Sequence, residues 1–430
     1  MGFVIGSIRI SGRCAMILCA IDELQPGMMV GASVLHPSRP ELELIAPETV
    51  LTGAMIERLQ SMRTGSVWIT YDGTDDLNHA VSMNLTLGQR EVYCRLRDDF
   101  ARSAQRTMTV ASLQSYRQAV LSLATEVISS RAYASLACRL YTGEHPLFSH
   151  CASVAYLALL TGLELETYIV SERPRLSQAN ARDLTALGLA GMLHDIGKTM
   201  GAESIRRMHE VSDRKALENK AYAEHTLVGA EMLSENRVPA STRQAVLMHH
   251  QRWDGRGWPS RRDLGWGEGP VLSGRRVHVF ARIIGAVNVL DNLLAGSAES
   301  REPAVAALSR FASDAFDGWF DPVIRRGVLR QVPPFPVGAM VRLSDGRGAV
   351  VTVPQRERPC RPVVRMLEPG KGGGKPETID LMLHEDVSIV HAEGRDVSEW
   401  LYEIPEIPEH DAHAGDVCAG DDEGSGSRAA

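Results

Sequence analysis

Residues 192–198 read MLHDIGK and residues 248–259 read MHHQRWDGRGWP, and these two segments decide how the chain is interpreted. The first contains His194 and Asp195, and the second contains His249 and His250. Neutral imidazole nitrogen and carboxylate oxygen are ligands that divalent iron, manganese, nickel and zinc accept. The two segments therefore predict a metal site, and a metallohydrolase is the leading interpretation.

Around these segments, apolar runs recur with the spacing of buried helices. The runs are SVAYLALLTGLEL (153–165), LTALGLAGML (184–193), LVGAEML (227–233) and VFARIIGAVNVLDNLL (279–294). Each apolar face is wide enough to be packed inside a helical bundle. His150 and His225 stand at the edges of two of these helices. One histidine alone is more often a satisfied core or surface residue, but facing helices are how bundles assemble metal sites.

The fold class that follows is mainly α: an all-α helical bundle core with smaller modules on either side. Residues 1–100 are predicted to be a small α+β module and residues 101–144 a helical linker. The helical bundle itself is placed at residues 145–331. Residues 332–404, with β-branched runs and a turn at Ser344 to Gly346, are predicted to be β-rich, and residues 405–430 to be a disordered acidic tail.

Composition narrows the classes of function. The chain has 430 residues, is 44% hydrophobic and carries a net charge of −7. Without a long Lys/Arg run, general nucleic-acid binding is disfavoured. Seven cysteines are scattered without paired zinc-type spacing, which favours reduced thiols and a cytoplasmic location. The first twenty residues, interrupted by Arg9 and Arg13, are not expected to cross a membrane.

Two further features have both an ordinary and a functional interpretation. Lys198 is either a solvated lysine at a helix end or, beside two metal ions, a group that holds a phosphate oxygen. The segment RWDGRGWP, with Gly257 and Trp258, is either a tight surface turn or a rigid loop over the metal site. In the second case Trp258 offers a face on which a nucleobase stacks.

Taken together, the motifs resemble those of the HD-GYP phosphodiesterases, a group within the HD superfamily of metal-dependent phosphohydrolases. The matching pieces are HCASVA (150–155), LHDIGK (193–198), EHTLVGAEML (224–233), HHQRWDGRGWP (249–259) and ARIIGAV (281–287). LQPGMMVG (24–31) and FPVGAMVRLSDGRGAVV (335–351) resemble the flanking segments that accompany this domain. The specific part of the resemblance covers roughly residues 145 to 295.

The resemblance implies a phosphodiesterase that opens cyclic di-GMP to linear pGpG or to GMP at a binuclear centre of iron or manganese ions. Asp195 and Lys198 would be catalytic, with Asp195 bridging the ions and Lys198 supporting the phosphate. The metal ligands would be His150, His194, Asp195, His225, His249, His250 and, at the family's closing aspartate position, Asn288. Substrate contacts are assigned to Gly257, Trp258, Arg282 and Arg301, although the two arginines could equally be solvated charges.

This sequence departs from the family pattern at several positions. Trp258 replaces the signature tyrosine, which keeps an aromatic face and loses a phenol hydroxyl. Asn288 replaces a carboxylate with a neutral carbonyl, so the affinity for one ion should fall unless Asp291, three residues on, substitutes for it. The segment between Lys198 and His225 lacks the usual proline-rich stretch. Pro146 stands where some members supply a carboxylate to a third ion, so two metals are expected.

Three functions remain in competition. The first is an active cyclic di-GMP phosphodiesterase, and the second is a degenerate module that binds a cyclic dinucleotide or a protein partner and signals without turnover. The third is hydrolysis of another phosphoester, which the GRGWP loop disfavours. A homodimer or a signalling protein partner is compatible with the flanking modules, and the upstream signal is not readable.

Overall fold

The computed structural model describes residues 16–36, 42–62, 66–71, 91–98, 110–129, 146–200, 223–234, 238–295, 302–367 and 376–407. The predicted disordered tail at 408–430 lies outside these ranges. The described helices are α1 (Gly53–Ser61), α2 (91–98), α3 (Val110–Ser129), α4 (Pro146–Glu164), α5 (Glu166–Ser171), α6 (Gln178–Arg182), α7 (Thr185–Leu193), α8 (His225–Met232), α9 (Ala240–Met248), α10 (Val279–Ala295), α11 (Ala304–Ala312) and α12 (Pro322–Gln331).

The helical core is built around α4, α7 and α10, as the apolar runs predict. Both α7 and the first thirteen residues of α10 are buried almost all round, which is why their sequences lack a polar face. These helices pack with α9 and α12 into one large hydrophobic cluster. Helix α4 begins at Pro146, so His150 lies inside the helix and does not begin it as the sequence suggested.

Helix α3 lies within the segment predicted to be a linker, yet it contributes to the same core. Val120, Leu123 and Val127 are fully buried in the cluster that contains α4 and α7. Burying this face stabilises the bundle by roughly 25 cal/mol for each Å² of apolar surface removed from water. The domain boundaries themselves stay a prediction.

A close backbone approach joins the end of α7 to the start of α8. After α7, residues Ile196–Met200 form a short 3-10 helix. A Cβ added to Gly197 would lie only 1.9 Å from the carbonyl oxygen of His225. Only glycine permits this contact, which brings Asp195 next to the first residue of α8.

The flanking modules are strand-rich and share a core. The described strands are β1 (Met16–Ala20), β2 (Val34–Leu35), β3 (Glu43–Ile45), β4 (Ser66–Thr70), β5 (Met340–Leu343), β6 (Gly348–Val353), β7 (Val363–Met366), β8 (Thr378–Asp380), β9 (Ile389–Ala392) and β10 (Arg395–Asp396). Antiparallel pairing joins β1 to β4, β2 to β3, and the last six strands in the order β10-β9-β5-β6-β7-β8. The β-rich C-terminal segment is thus confirmed.

Contacts between the N-terminal and C-terminal modules were not anticipated from the sequence. Leu18 donates its backbone N–H to the carbonyl of Gly338 at 2.9 Å. One hydrophobic cluster contains Ile17 and Ile69 from the first module together with Val337 and Val350 from the second. The two modules therefore pack together on the described part of the chain.

Among the residues that the structure describes, one helix satisfies the length and composition criteria for a membrane span. The window Leu147–Glu164 has a mean hydropathy of 1.3, and 78% of it is buried inside the protein. A core helix of a bundle meets the same criteria, since its side chains are sequestered from water by neighbouring helices.

Candidate metal centre

Two histidines are oriented by the helices that they end. His194 follows α7 and His249 follows α9, and in each case Nδ1 lies near the carbonyl three residues earlier. The distances are 2.8 Å from His194 to Gly191 and 2.9 Å from His249 to Val246. A carbonyl can only accept, so each Nδ1 carries the proton and each Nε2 presents a lone pair. The orphan carbonyls of a helix end thus select the tautomer that binds metal.

His150 is oriented by a side chain instead. Its Nδ1 lies 2.7 Å from Oδ2 of Asp291, which comes from α10. Burial by itself lowers the pKa of His150, and the hydrogen bond and charge of Asp291 outweigh burial and raise this pKa above its ordinary value. A histidine that donates Nδ1–H to a carboxylate also has Nε2 available as a ligand.

Asp195 stands between two groups of histidines, and its two oxygens face different groups. Oδ1 lies 3.1 Å from Nε2 of His225 and 3.7 Å from Nε2 of His249. Oδ2 lies 3.4 Å from Nε2 of His194 and 3.7 Å from Nε2 of His150. One carboxylate therefore belongs to both groups, and its role as a bridging ligand stays a prediction.

In each group of side chains, the candidate metal-ligand atoms are close enough to one another to bind the same ion. Asp195, His225, His249 and His250 form one group, which we call the three-histidine group. His150, His194 and Asp195 form the other, which we call the two-histidine group. In each, the candidate ligand atoms lie within 4.8 Å of one another, and every residue is buried.

Charge and protonation favour a cation in this cluster. Nε2 of His150 and Nε2 of His194 are 3.2 Å apart, so one cation can be bound by both nitrogen atoms. Burial and neighbouring histidines hold the pKa values of His249 and His250 well below the ordinary range, which keeps both imidazoles neutral. The residues therefore fit divalent metal ions of the type that nitrogen and oxygen ligands bind.

Lys198 lies inside the cluster and is 2% exposed. Its Nζ contacts Oδ2 of Asp195 at 2.6 Å. Burial raises the pKa of Asp195, and Lys198 together with the histidines more than offsets this and holds it well below its usual value. The solvated-lysine interpretation is wrong, because the ammonium is buried against the carboxylate. Lys198 belongs to the 3-10 turn after α7, so its contact is with Asp195 three residues earlier.

The GRGWP loop is fixed against the three-histidine group by Gln251. The side chain of Gln251 accepts from the backbone N–H of Arg252 and of Gly257, both at 2.9 Å, and donates to the carbonyl of Pro259 at 2.9 Å. A Cβ on Gly257 would lie 2.3 Å from the carbonyl oxygen of His250, so glycine is required there. The loop is held directly beside the site.

Trp258 is anchored to the helix that carries His225. Its backbone N–H donates to the carbonyl of His250 at 3.0 Å, and its indole Nε1–H donates to Oγ1 of Thr226 at 3.1 Å. Thr226 is fully buried and donates in turn to the carbonyl of Ala223 at 3.2 Å. The Nε1 edge of the Trp258 indole is therefore hydrogen-bonded to Thr226. Stacking of a nucleobase on the indole face stays a prediction.

Arg282, which is predicted to contact the substrate, lies in a network of buried contacts. Arg282 is 6% exposed, and its guanidinium contacts Asp321, Glu172 and Tyr168 while Nε donates to the carbonyl of Val277 at 3.0 Å. These partners occupy its donors in a buried network that joins α5, α10 and α12. Its contact with the substrate stays a prediction. The second candidate, Arg301, lies outside the described residues.

Asn288 is buried on α10, and its Oδ1 accepts from Nδ2 of Asn292 at 3.2 Å. Its role as a metal ligand stays a prediction. Asp291, the suggested substitute, contacts Nδ1 of His150, which is a different role from the one proposed. Sequence inspection also missed Gln251, although its place directly after the His249–His250 pair and before a glycine-rich turn could have drawn attention to it.

Comparison with known proteins finds similarity in the helical part of the chain. A family model described as an HD domain matches residues 166–324. The chain is 31% identical over 217 residues to the cyclic di-GMP phosphodiesterase PA4108 of Pseudomonas aeruginosa, which covers 50% of this chain and 46% of that protein. It is 30% identical over 106 residues to 3'3'-cGAMP-specific phosphodiesterase 2 of Vibrio cholerae, which covers 24% of this chain and 18% of that one. The chain thus spans about half the length of the first relative, and less of the second.

A solved structure is also similar at a distance. Bd1817, described as a HDG"Y"P protein from Bdellovibrio bacteriovorus, matches 73% of this chain and 98% of its own with a TM-score of 0.43 and 12% identity. That likeness is too remote to add weight. HD phosphohydrolases use divalent metal ions, and the His/Asp cluster described above could bind such ions. Residues 166–324 thus match an HD domain, and 217 residues of the chain are similar in sequence to a curated cyclic di-GMP phosphodiesterase.

Proposed function

We propose that this protein is a metal-dependent phosphodiesterase that hydrolyses cyclic di-GMP to pGpG or GMP at a binuclear centre. The observation that carries the proposal is the division of Asp195, with Oδ1 toward the three-histidine group and Oδ2 toward the two-histidine group. The relatives named for cyclic dinucleotide hydrolysis support the choice of substrate class. We favour an active enzyme over a module that binds the dinucleotide without cleaving it, because each group offers at least three candidate ligands for a metal ion.

The proposed ligands are His150, His194, Asp195, His225, His249 and His250, with Asn288 as a further candidate. Two divalent ions, iron or manganese, would supply Lewis-acid stabilisation of the phosphoryl oxygens and lower the pKa of water. The backbone carbonyls of Gly191 and Val246 keep the Nε2 lone pairs of His194 and His249 directed at the centre. These contacts fix the geometry before substrate arrives, so little reorganisation is needed during reaction.

Lys198 provides the positive side chain at the centre. Its ammonium, 2.6 Å from Oδ2 of Asp195, keeps that carboxylate ionised and hence able to serve both groups. A phosphate oxygen drawn into the site would find the same charge within reach. Gly257 and Trp258 would border the substrate, with the indole face available for a guanine base.

A cytoplasmic location is proposed from the cysteine pattern, and none of the described cysteines, Cys19, Cys94, Cys151 and Cys360, forms a disulfide. We propose the same domain boundaries as those predicted from the sequence, although α3, in the predicted linker, packs into the bundle. A homodimer or a signalling partner is compatible with the joined flanking modules.

The proposal is tested by hydrolysis of cyclic di-GMP with protein purified without oxygen and loaded with ferrous iron or manganese. Asp195→Ala is the inactive variant, and Asp386→Ala, an exposed residue of the C-terminal region, is the matched control. We expect turnover in the wild-type and Asp386→Ala proteins and a loss of at least about 100-fold in Asp195→Ala. 3'3'-cGAMP and mononucleotides assayed in parallel would reveal a different preferred substrate.

Two outcomes would contradict the proposal. Wild-type protein with two metal equivalents that binds cyclic di-GMP without cleaving it would be a receptor. Turnover that survives in Asp195→Ala would place the chemistry elsewhere.

A further inference from the structure

Among the candidate ligands, His150 differs in what holds its Nδ1. His194 and His249 donate Nδ1–H to backbone carbonyls of the helices that precede them, contacts that any sequence in that backbone would offer. His150 donates to a side chain, Oδ2 of Asp291, which lies 141 residues away in sequence. That contact exists only because α4 and α10 pack together.

The contact is buried and short. The side chain of His150 is 6% exposed, that of Asp291 is 12% exposed, and the two atoms are 2.7 Å apart. A carboxylate that accepts a hydrogen bond from His150 places the proton on Nδ1. Nε2 then carries the lone pair that can bind a metal ion. Nε2 is directed at the two-histidine group, 3.2 Å from Nε2 of His194 and 3.7 Å from Oδ2 of Asp195.

We propose that Asp291 is a positioning residue that serves the two-histidine group through His150, by fixing its ring and tautomer, and that it is not itself a metal ligand. The inference rests on the metal centre of the proposed function and is independent of which phosphodiester is cleaved. A carboxylate behind a ligand imidazole also increases the basicity of the imidazole, which strengthens its bond to a metal ion.

The composition of the two-histidine group makes this role consequential. The three-histidine group offers three imidazoles and the shared carboxylate, whereas the two-histidine group offers two imidazoles and the same carboxylate. Asn288, three residues before Asp291 on α10, carries no charge. Asp291 therefore supplies, through His150, negative charge that is not contributed by position 288.

The test compares Asp291→Asn and Asp291→Ala with Asp386→Asn, the same chemical change at an exposed site. Apo proteins are titrated with Mn²⁺, and free Mn²⁺ is followed by electron paramagnetic resonance to give the number of ions and their Kd values. Nitrogen-15 long-range NMR of the apo proteins reports which nitrogen of His150 carries the proton. We expect one of the two Kd values to rise about 10- to 100-fold in both Asp291 variants, the other to stay constant, and Asp386→Asn to match wild type.

The NMR signal separates positioning from a general loss of structure. Asp291→Asn preserves volume, so it decides the question if Asp291→Ala does not fold. Its amide should leave His150 with a mixed or inverted tautomer while His194 and His249 are unchanged. Two Mn²⁺ ions bound with wild-type affinity and an unchanged His150 tautomer would overturn the inference, and so would wild-type protein that binds only one ion.

The same titration distinguishes this inference from the proposed function. No substrate is present, so Mn²⁺ binding that depends on Asp291 would stand even if wild-type protein hydrolysed no cyclic dinucleotide. Conversely, suppose that wild-type protein hydrolyses cyclic di-GMP and that the Asp291 variants bind Mn²⁺ with wild-type affinity. The proposed function would then stand, and the positioning role of Asp291 would be rejected.

Discussion

The two donor groups share Asp195 but are assembled by different means. In the three-histidine group, His225, His249 and His250 come from the adjacent ends of α8 and α9, within 26 residues of sequence. In the two-histidine group, His150 and His194 come from α4 and α7, and α10 supplies Asp291 behind His150. The first group depends on local chain geometry, whereas the second depends on the packing of three helices. We therefore expect the two groups to respond differently to mutation.

The largest effect should come from the shared carboxylate. Asp195→Ala should remove both metal equivalents, because each group loses an oxygen ligand, whereas His150→Ala should remove only one. Metal per chain after gel filtration, measured by mass spectrometry, distinguishes the two results. His384→Ala, an exposed histidine in the C-terminal region, is the control for His150→Ala. Retention of both ions in Asp195→Ala would mean that the groups are independent.

Acid pH should weaken α10, the helix that places Asp291 behind His150. Nδ1 of His278 accepts the backbone N–H of Phe280 at 3.1 Å at the start of α10. Burial and the charges of Arg173 and Arg282 lower the pKa of His278 from 6.5 to about 4. Because the folded pKa lies below the unfolded one, this contribution is present above pH 6.5 and is lost as the pH falls toward 4, up to roughly 3 kcal/mol.

The measurement is the free energy of unfolding of apo protein by urea at pH 7 and pH 4.5. His278→Asn keeps a side-chain acceptor at the helix start without a group that titrates in this range. Wild type should lose more stability than His278→Asn between these two pH values. Equal losses in the two proteins would mean that His278 is protonated at no cost and does not stabilise α10.

A smaller effect should follow from restoring a carboxylate on α10. If Asn288 faces the two-histidine group, Asn288→Asp should lower the weaker metal Kd about tenfold, equivalent to about 1.4 kcal/mol, and raise turnover. Mn²⁺ titration and the rate of cyclic di-GMP hydrolysis check both expectations. Asn180→Asp on the exposed α6 is the matched control. If neither the metal affinity nor the turnover increased, Asn288 would not be a metal ligand. The two groups would then differ less in their affinity for metal ions than we infer.

The smallest effect should be confined to the loop beside the three-histidine group. Trp258→Phe keeps an aromatic face but loses the hydrogen bond from Nε1 to Thr226, so KM should rise about threefold with metal binding unchanged. Steady-state kinetics check this, with Trp266→Phe at an exposed position of the following loop as control. A fall in metal content in Trp258→Phe would tie the loop to the ions directly.

Sequence patterns succeeded where the signal was local. The periodic apolar runs placed α4, α7 and α10, and the positions of His194 and His249 at the ends of helices were readable from where those runs stop. The buried network of Arg282 was not anticipated, because nothing nearby in sequence shows that Glu172 and Asp321 lie against it. For the same reason the contact of Asp291 with His150 was not anticipated, since His150 is on a helix more than a hundred residues earlier.

By itself, the sequence determined the donor chemistry and the helical class, because ligand types and apolar periodicity are properties of residues and their immediate neighbours. Tertiary structure alone decided which histidines each oxygen of Asp195 faces, that Lys198 is buried against it, and that Asp291 contacts His150. It also decided that the N-terminal and C-terminal modules share a core. These facts depend on the packing of segments distant in sequence, which local patterns do not encode.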